Sequence, residues 1–200
     1  MKAFRNLCRV FSIQISMVCA ALLLIHQAPA AAQNALDAQI EAAASGDLQA
    51  QLKVAQAYQY GLNVEKDVQE AIRWYEAAAA QESPLAMFEL GSLVLDGIEG
   101  TDTSADAVAA ERISIAWYRR AAQLGFAQAQ STLGLKYAFS NRIEKNPKAA
   151  RMWIAAAKEN GHKTTSVLVK RLERSMDRSE IGAAIEMAAT CIQSGYTACE

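Results

Sequence analysis

The sequence predicts an all-α protein, an α-solenoid of antiparallel helix pairs. Three observations predict it. The stretch DVQEAIRWYEAA, Asp67 to Ala78, returns as RISIAWYRRAA, Arg112 to Ala122, and more loosely as NPKAARMWIAAA, Asn146 to Ala157. The three Trp of the chain, at 74, 117 and 153, hold one place in these copies, each followed four residues on by Ala78, Ala121 or Ala157. No stretch alternates apolar and polar residues as a strand does, and units recurring at this distance mark stacked helical hairpins.

The N-terminal stretch has the form of a leader. Lys2, Arg5 and Arg9 precede the uncharged apolar run Val10 to Ile25, and Ala28-Pro29-Ala30-Ala31-Ala32 offers small residues for a cut after Ala30 or Ala32. This predicts a secretory signal peptide over 1–32 and a repeat domain over 33–200. An uncleaved anchor is the rival, but the apolar run is shorter than the ~20 residues that span a bilayer. Cys19 follows Val18 rather than a small residue, so it reads as part of the apolar run. The expected location is the periplasm or the outside of a bacterial cell, with membrane contact only through the leader. Beyond the leader, 17 Lys+Arg face 21 Asp+Glu, a formal charge of −4 that argues against non-specific nucleic-acid binding. Cys191 and Cys199 remain as an even pair. In an exported chain they read as a disulfide, contributing about 2–3 kcal/mol through its short loop, with two free thiols as the alternative.

In chain order, residues 33–45 predict a short Ala-rich helix stopped by Gly46, an N-terminal half-repeat. The first repeat, 48–83, opens with a helix whose Ala50, Val54, Ala55 and Tyr58 share a face and which Gly61 closes. Asp67 is the expected cap of its second helix, with Glu70 completing a capping box and Ala71, Trp74, Tyr75 and Ala78 as the buried stripe. The second repeat, 84–126, sets Leu90-Gly91 and Gly97 at the places of Val54-Ala55 and Gly61. About seven residues are inserted within Ile98 to Glu111, predicting a longer polar, acidic loop with an extra helical turn. The third repeat, 127–162, keeps Ala129, Leu133, Gly134 and Tyr137 in register, and Asn146-Pro147 starts its second helix by a different cap. Small residues at 55, 91 and 134 predict close helix approach. Glu82 stands where Gly125 and Gly161 stop the other two repeats. A degenerate cap, 163–200, follows: a helix with Val167, Leu168, Leu172 and Met176 inward, then a last helix capped by Asp177 or Ser179.

These residues resemble Sel1-like repeats, relatives of the tetratricopeptide repeats. The pattern AxxxLGxxY-x2-G followed by a capped A-x2-W-Y-x2-A-A-x3-G is nearest in Trp117-Tyr118, Ala121-Ala122 and Gly125 with Ala129, Leu133-Gly134 and Tyr137. Val94, Ser140 and Ile154 depart from it. The resemblance implies a right-handed superhelix and an exported adaptor that holds other proteins, tied to envelope assembly, regulation or host contact. CIQSGYTAC, Cys191 to Cys199, also resembles the bridge of cysteine-rich Sel1-like proteins. That implies an alternative role as a weak β-lactam-binding or hydrolysing protein.

The residue inventory points away from catalysis. His162 is the only His beyond the leader, too few for a His-based triad or a His-rich zinc site, and it suits the C-terminal end of a helix dipole. No Ser-x-x-Lys pair and no phosphate-cradling Gly loop is present. The expectation is therefore no enzyme, no cofactor and no metal, with a protein partner. Its binding surface is sought on the first helix of each repeat, where Lys53, Glu89 and Thr132 align across the copies beside Gln56, Ser92 and Leu135. Two other charged groups are weighed. The acids Asp96, Glu99, Asp102, Asp106 and Glu111 read as a contact loop or a merely tolerated one. Lys170, Arg171, Arg174 and Arg178 read as a surface for an acidic partner or anionic lipid or, the preferred reading since Glu173 and Asp177 are interleaved, as a solvated face.

Overall fold

Helix starts and stops in this chain are written locally, and the computed structural model, which describes residues 30–96, 104–163 and 166–199, follows them. The expected leader run, Val10 to Ile25, lies outside the described residues, as do Gly97, Glu99 and Asp102. Nine helices and no strand occur among the described residues: α1 Ala30–Ala44, α2 Leu48–Tyr60, α3 Val68–Ala80, α4 Pro84–Asp96, α5 Ser104–Gln123, α6 Ala127–Phe139, α7 Pro147–Glu159, α8 Ser166–Glu173 and α9 Arg178–Gln193. Each helix from α1 to α6 packs on the next, α8 touches α7 only lightly, and α9 packs back on α7, which is the contact order of a solenoid.

The caps explain the boundaries. Asp47 accepts from the Ala50 N–H, Asp67 from those of Gln69 and Glu70, and Asn146 from that of Ala149 with Pro147 behind it. The capping box expected at Asp67 and Glu70 is only half made. The Asp67 N–H already bonds the Tyr58 carbonyl at 3.0 Å, and Glu70 turns to Arg73 instead. Asn146 N–H bonds the Tyr137 carbonyl in the same way at 3.0 Å, so each loop is tied to the helix before it. A full box stands at Asp177 and Glu180. Gly46, Gly125 and Gly161 take the left-handed conformation that ends their helices, and Glu82 takes it too, at φ 60°, where glycine is missing.

The seven inserted residues lengthen a helix more than a loop. α5 has 20 residues where α3 and α7 have 13. Glu111, expected on an acidic contact loop, is buried on α5 instead, with Lys136 Nζ at 3.0 Å and Arg142 at 3.9 Å. A carboxylate removed from water needs such partners.

The core lies between the two helices of each pair and between successive pairs. Tyr75, Tyr118 and Ile154 occupy one repeat position and are almost fully buried. Tyr118 and Ile154 each face a glycine on the first helix of their pair. A Cβ on Gly91 would stand 2.7 Å from the Tyr118 ring, and one on Gly134 would stand 2.7 Å from Ile154 Cγ1 and 3.0 Å from the Ala150 carbonyl. The Trp residues depart from expectation. Trp153 is buried at 2% exposure, but Trp74 and Trp117 are only half-buried, because they sit at the edge of the stripe. Arg120 lies over Trp117, 4.9 Å from its ring centre.

Trp153 is enclosed by the tail. With Met187 and Cys199 it lines a 280 Å³ cavity. Cys191 and Cys199 are bonded, 4.5 Å apart at Cα, and both are buried. The bridged loop turns through Gly195 and Tyr196, both left-handed, and sets the Tyr196 ring against Gly125. In α8, Leu172 is buried as expected, but Val167 is 72% exposed. α8 is only eight residues long and makes little contact with α7, so its first turn has nothing to pack against.

Candidate functional site

The first helices of the three pairs, α2, α4 and α6, carry the predicted row at equal positions. Lys53 is exposed, while Gln56, Glu89 and Thr132 are half-buried. Lys53 and Gln56 share a recess of 290 Å³ between α1 and α2, with Leu36, Gln39, Leu62 and Asn63 around it. Leu62, 55% exposed, gives this recess an apolar lip.

Glu89 faces back toward α2. It is hydrogen-bonded to Gln59, whose Oε1 accepts from the Tyr75 hydroxyl at 2.6 Å. Burial raises the Glu89 carboxyl above its ordinary value, the Gln59 bond opposes that rise, and the charge of Asp96 adds to it. Burial likewise raises the Tyr75 hydroxyl, with Glu89 adding to the effect. Ser92, the neighbour of the row, pairs its Oγ with the Tyr118 hydroxyl at 3.1 Å. The structure thus joins Lys53 to Gln56 in one recess and Glu89 to α2 through Gln59. Thr132 stands apart on α6. The row is a polar track along successive helices, without a single focus of reacting groups.

Two polar clasps beside this track were not read from the sequence. Gln51 donates to the Ala43 carbonyl at 3.1 Å and accepts from Gln81 at 2.8 Å. Gln130 donates to the Ala122 carbonyl at 3.0 Å and accepts from Asn160 at 2.9 Å. Each clasp ties one pair to the helix before it and to the end of its own second helix. The signal lay in aligning the copies: Gln51 with Gln81 and Gln130 with Asn160 are polar together, while the second copy has Met87 with Leu124.

His162 follows the Gly161 stop, and its Nδ1 is buried without a hydrogen-bond partner. Among the described residues no group of three or more His, Cys, Asp or Glu side chains is placed to hold a metal ion. No described helix is long and apolar enough to cross a membrane.

A chain of helix pairs, each packed on its chain neighbours and presenting a polar track, defines a helical-repeat interaction protein. The description "Sel1 repeat" matches residues 48–83, 84–126 and 127–162. The chain belongs to the Sel1 repeat family, whose repeats mediate protein–protein interaction. A Sel1 repeat protein from Oxalobacter formigenes, known from its crystal structure, is 31% identical with a TM-score of 0.53, over 70% of this chain and 97% of that one. The crystal structure of c5321, a protective antigen present in uropathogenic Escherichia coli strains displaying an SLR fold, matches with a TM-score of 0.60 at 21% identity. That match takes in 84% of this chain and 38% of the other, and it speaks for the fold.

Proposed function

We propose that this chain is an exported adaptor that binds a protein partner along α2, α4 and α6 in a bacterial envelope or beyond it. The observation that carries the reading is the row itself: Lys53, Glu89 and Thr132 at one repeat position on three successive first helices, all reached by solvent. The leader composition, Lys2, Arg5 and Arg9 before an uncharged apolar run, supports export. A single His beyond that leader supports binding as the mode of action rather than catalysis.

Affinity capture from envelope extracts tests this. The parent chain is expected to retain a protein partner that the Lys53→Glu/Glu89→Lys chain loses while keeping its helical circular dichroism. Equal capture by both chains would remove the row from the interface. Mass spectrometry of exported material should show the chain starting after Ala30 or Ala32. A chromogenic β-lactam should show no turnover above background, and turnover would refute the binding-only reading.

A further inference from the structure

Charge is divided between the two ends of this protein. Residues 33–111 carry 14 Asp+Glu against 3 Lys+Arg, while residues 112–200 carry 7 against 14. Because helices in the stack contact mainly their chain neighbours, the two halves are also separate in space. One end is strongly acidic and the other basic.

The basic end is incompletely filled. The first helices α2, α4 and α6 have 13 residues, but α8, which follows the third pair, has eight. A recess of 510 Å³ opens between α7, α8 and α9, floored by Ile154, Ala155, Val169 and Ile185. Ile185 is 51% exposed. Arg151 and Glu173 on its wall are tied to each other at 2.8 Å. Lys158 and Lys170 on the rim are exposed and pair with no carboxylate among the described residues, and with Glu159 also in the lining they leave the recess a net positive charge of one. The acidic end offers the complement. On α1, Asp37, Ala38, Glu41 and Ala44 are exposed, with the two acids one helical turn apart and the small Ala38 and Ala44 beside them.

The geometry points to a second copy of this chain as the occupant: the acidic α1 face of one molecule docks in the basic C-terminal recess of the next, head to tail. Small residues let α1 approach the apolar floor, and Asp37 and Glu41 meet Lys158 and Lys170. Such a contact uses different surfaces on the two partners, so it propagates into short open chains instead of closing a dimer. Opposite charge sets the direction and suppresses head-to-head pairing.

Light scattering and sedimentation of the full exported chain test the inference. Between about 0.01 M and about 1 M salt the screening length falls from about 30 Å to about 3 Å. Average mass is expected to rise with protein concentration at the low salt and to return to the monomer at the high one. Lys158→Glu/Lys170→Glu and Asp37→Lys/Glu41→Lys should each stay monomeric with unchanged helical circular dichroism. Mixed together they should associate again, because the reversed recess then meets the reversed helix. A parent chain that is monomeric at every concentration and salt overturns the inference. So does association that ignores both reversals, or a monomer whose Lys158 and Lys170 govern binding to anionic vesicles.

Discussion

Gly134→Ala tests the close packing of the repeats at one atom. The added Cβ would meet Ile154 Cγ1 at 2.7 Å, the Ala150 carbonyl oxygen at 3.0 Å and the Ile154 nitrogen at 3.3 Å. Two of these three are backbone atoms of α7, so a side-chain rotation cannot clear the space. Overpacking of this kind costs about 1–3 kcal/mol. Alanine returns up to about 1 kcal/mol as the better helix former. The net expectation is a loss of about 1–2 kcal/mol in urea unfolding followed by tryptophan fluorescence. Gly182→Ala in α9 is the control: nothing lies within 4 Å of its new Cβ, so the same chemical change should stabilise by about 0.5–1 kcal/mol. If Gly134→Ala stabilised as Gly182→Ala does, the tight contact between α6 and α7 would be refuted.

Further outcomes follow from individual contacts. Glu82→Gly should raise stability by about 0.5–1 kcal/mol in the same assay, because Glu82 holds a left-handed backbone that glycine adopts freely. Glu89 has its carboxyl raised by burial, so the stability it contributes is full below the ordinary value of 4.5 and is lost as pH rises through the raised one. Glu89→Gln should therefore be more stable than the parent at neutral pH, with the difference shrinking toward nothing below pH 4.5 in a pH series of thermal melts. Lys136→Met should cost about 2–3 kcal/mol, since it strips the nearer cation from the buried Glu111 carboxylate. Removing both partners as Lys136→Met/Glu111→Met should cost less than Lys136→Met alone.

The fold was legible because its information is local and repeated. Caps at Asp67, Asn146 and Asp177 and stops at Gly46, Gly125 and Gly161 each act within a turn or two of their own position, while the small Gly91 and Gly134 recur at one repeat position. What depends on distant neighbours was less legible. The Trp positions look equal in sequence, but Trp153 is buried beside a cavity that Met187 and Cys199 of the tail help to line. Glu111 reads as one more acid of a polar insertion until α5 is seen to continue through it, within reach of Lys136 and Arg142. Glu70 has the capping-box spacing, but the Asp67 N–H it would accept from is taken by Tyr58 from the preceding helix. Of the row, sequence periodicity found the shared position, while the bond from Glu89 to Gln59 needed coordinates.

Backbone hydrogen exchange on the chain, free and bound to its captured partner, tests the binding face most directly. New protection is expected in α2, α4 and α6, across 48–60, 84–96 and 127–139. Protection confined to the second helices α3, α5 and α7, with α2, α4 and α6 unchanged, would contradict it.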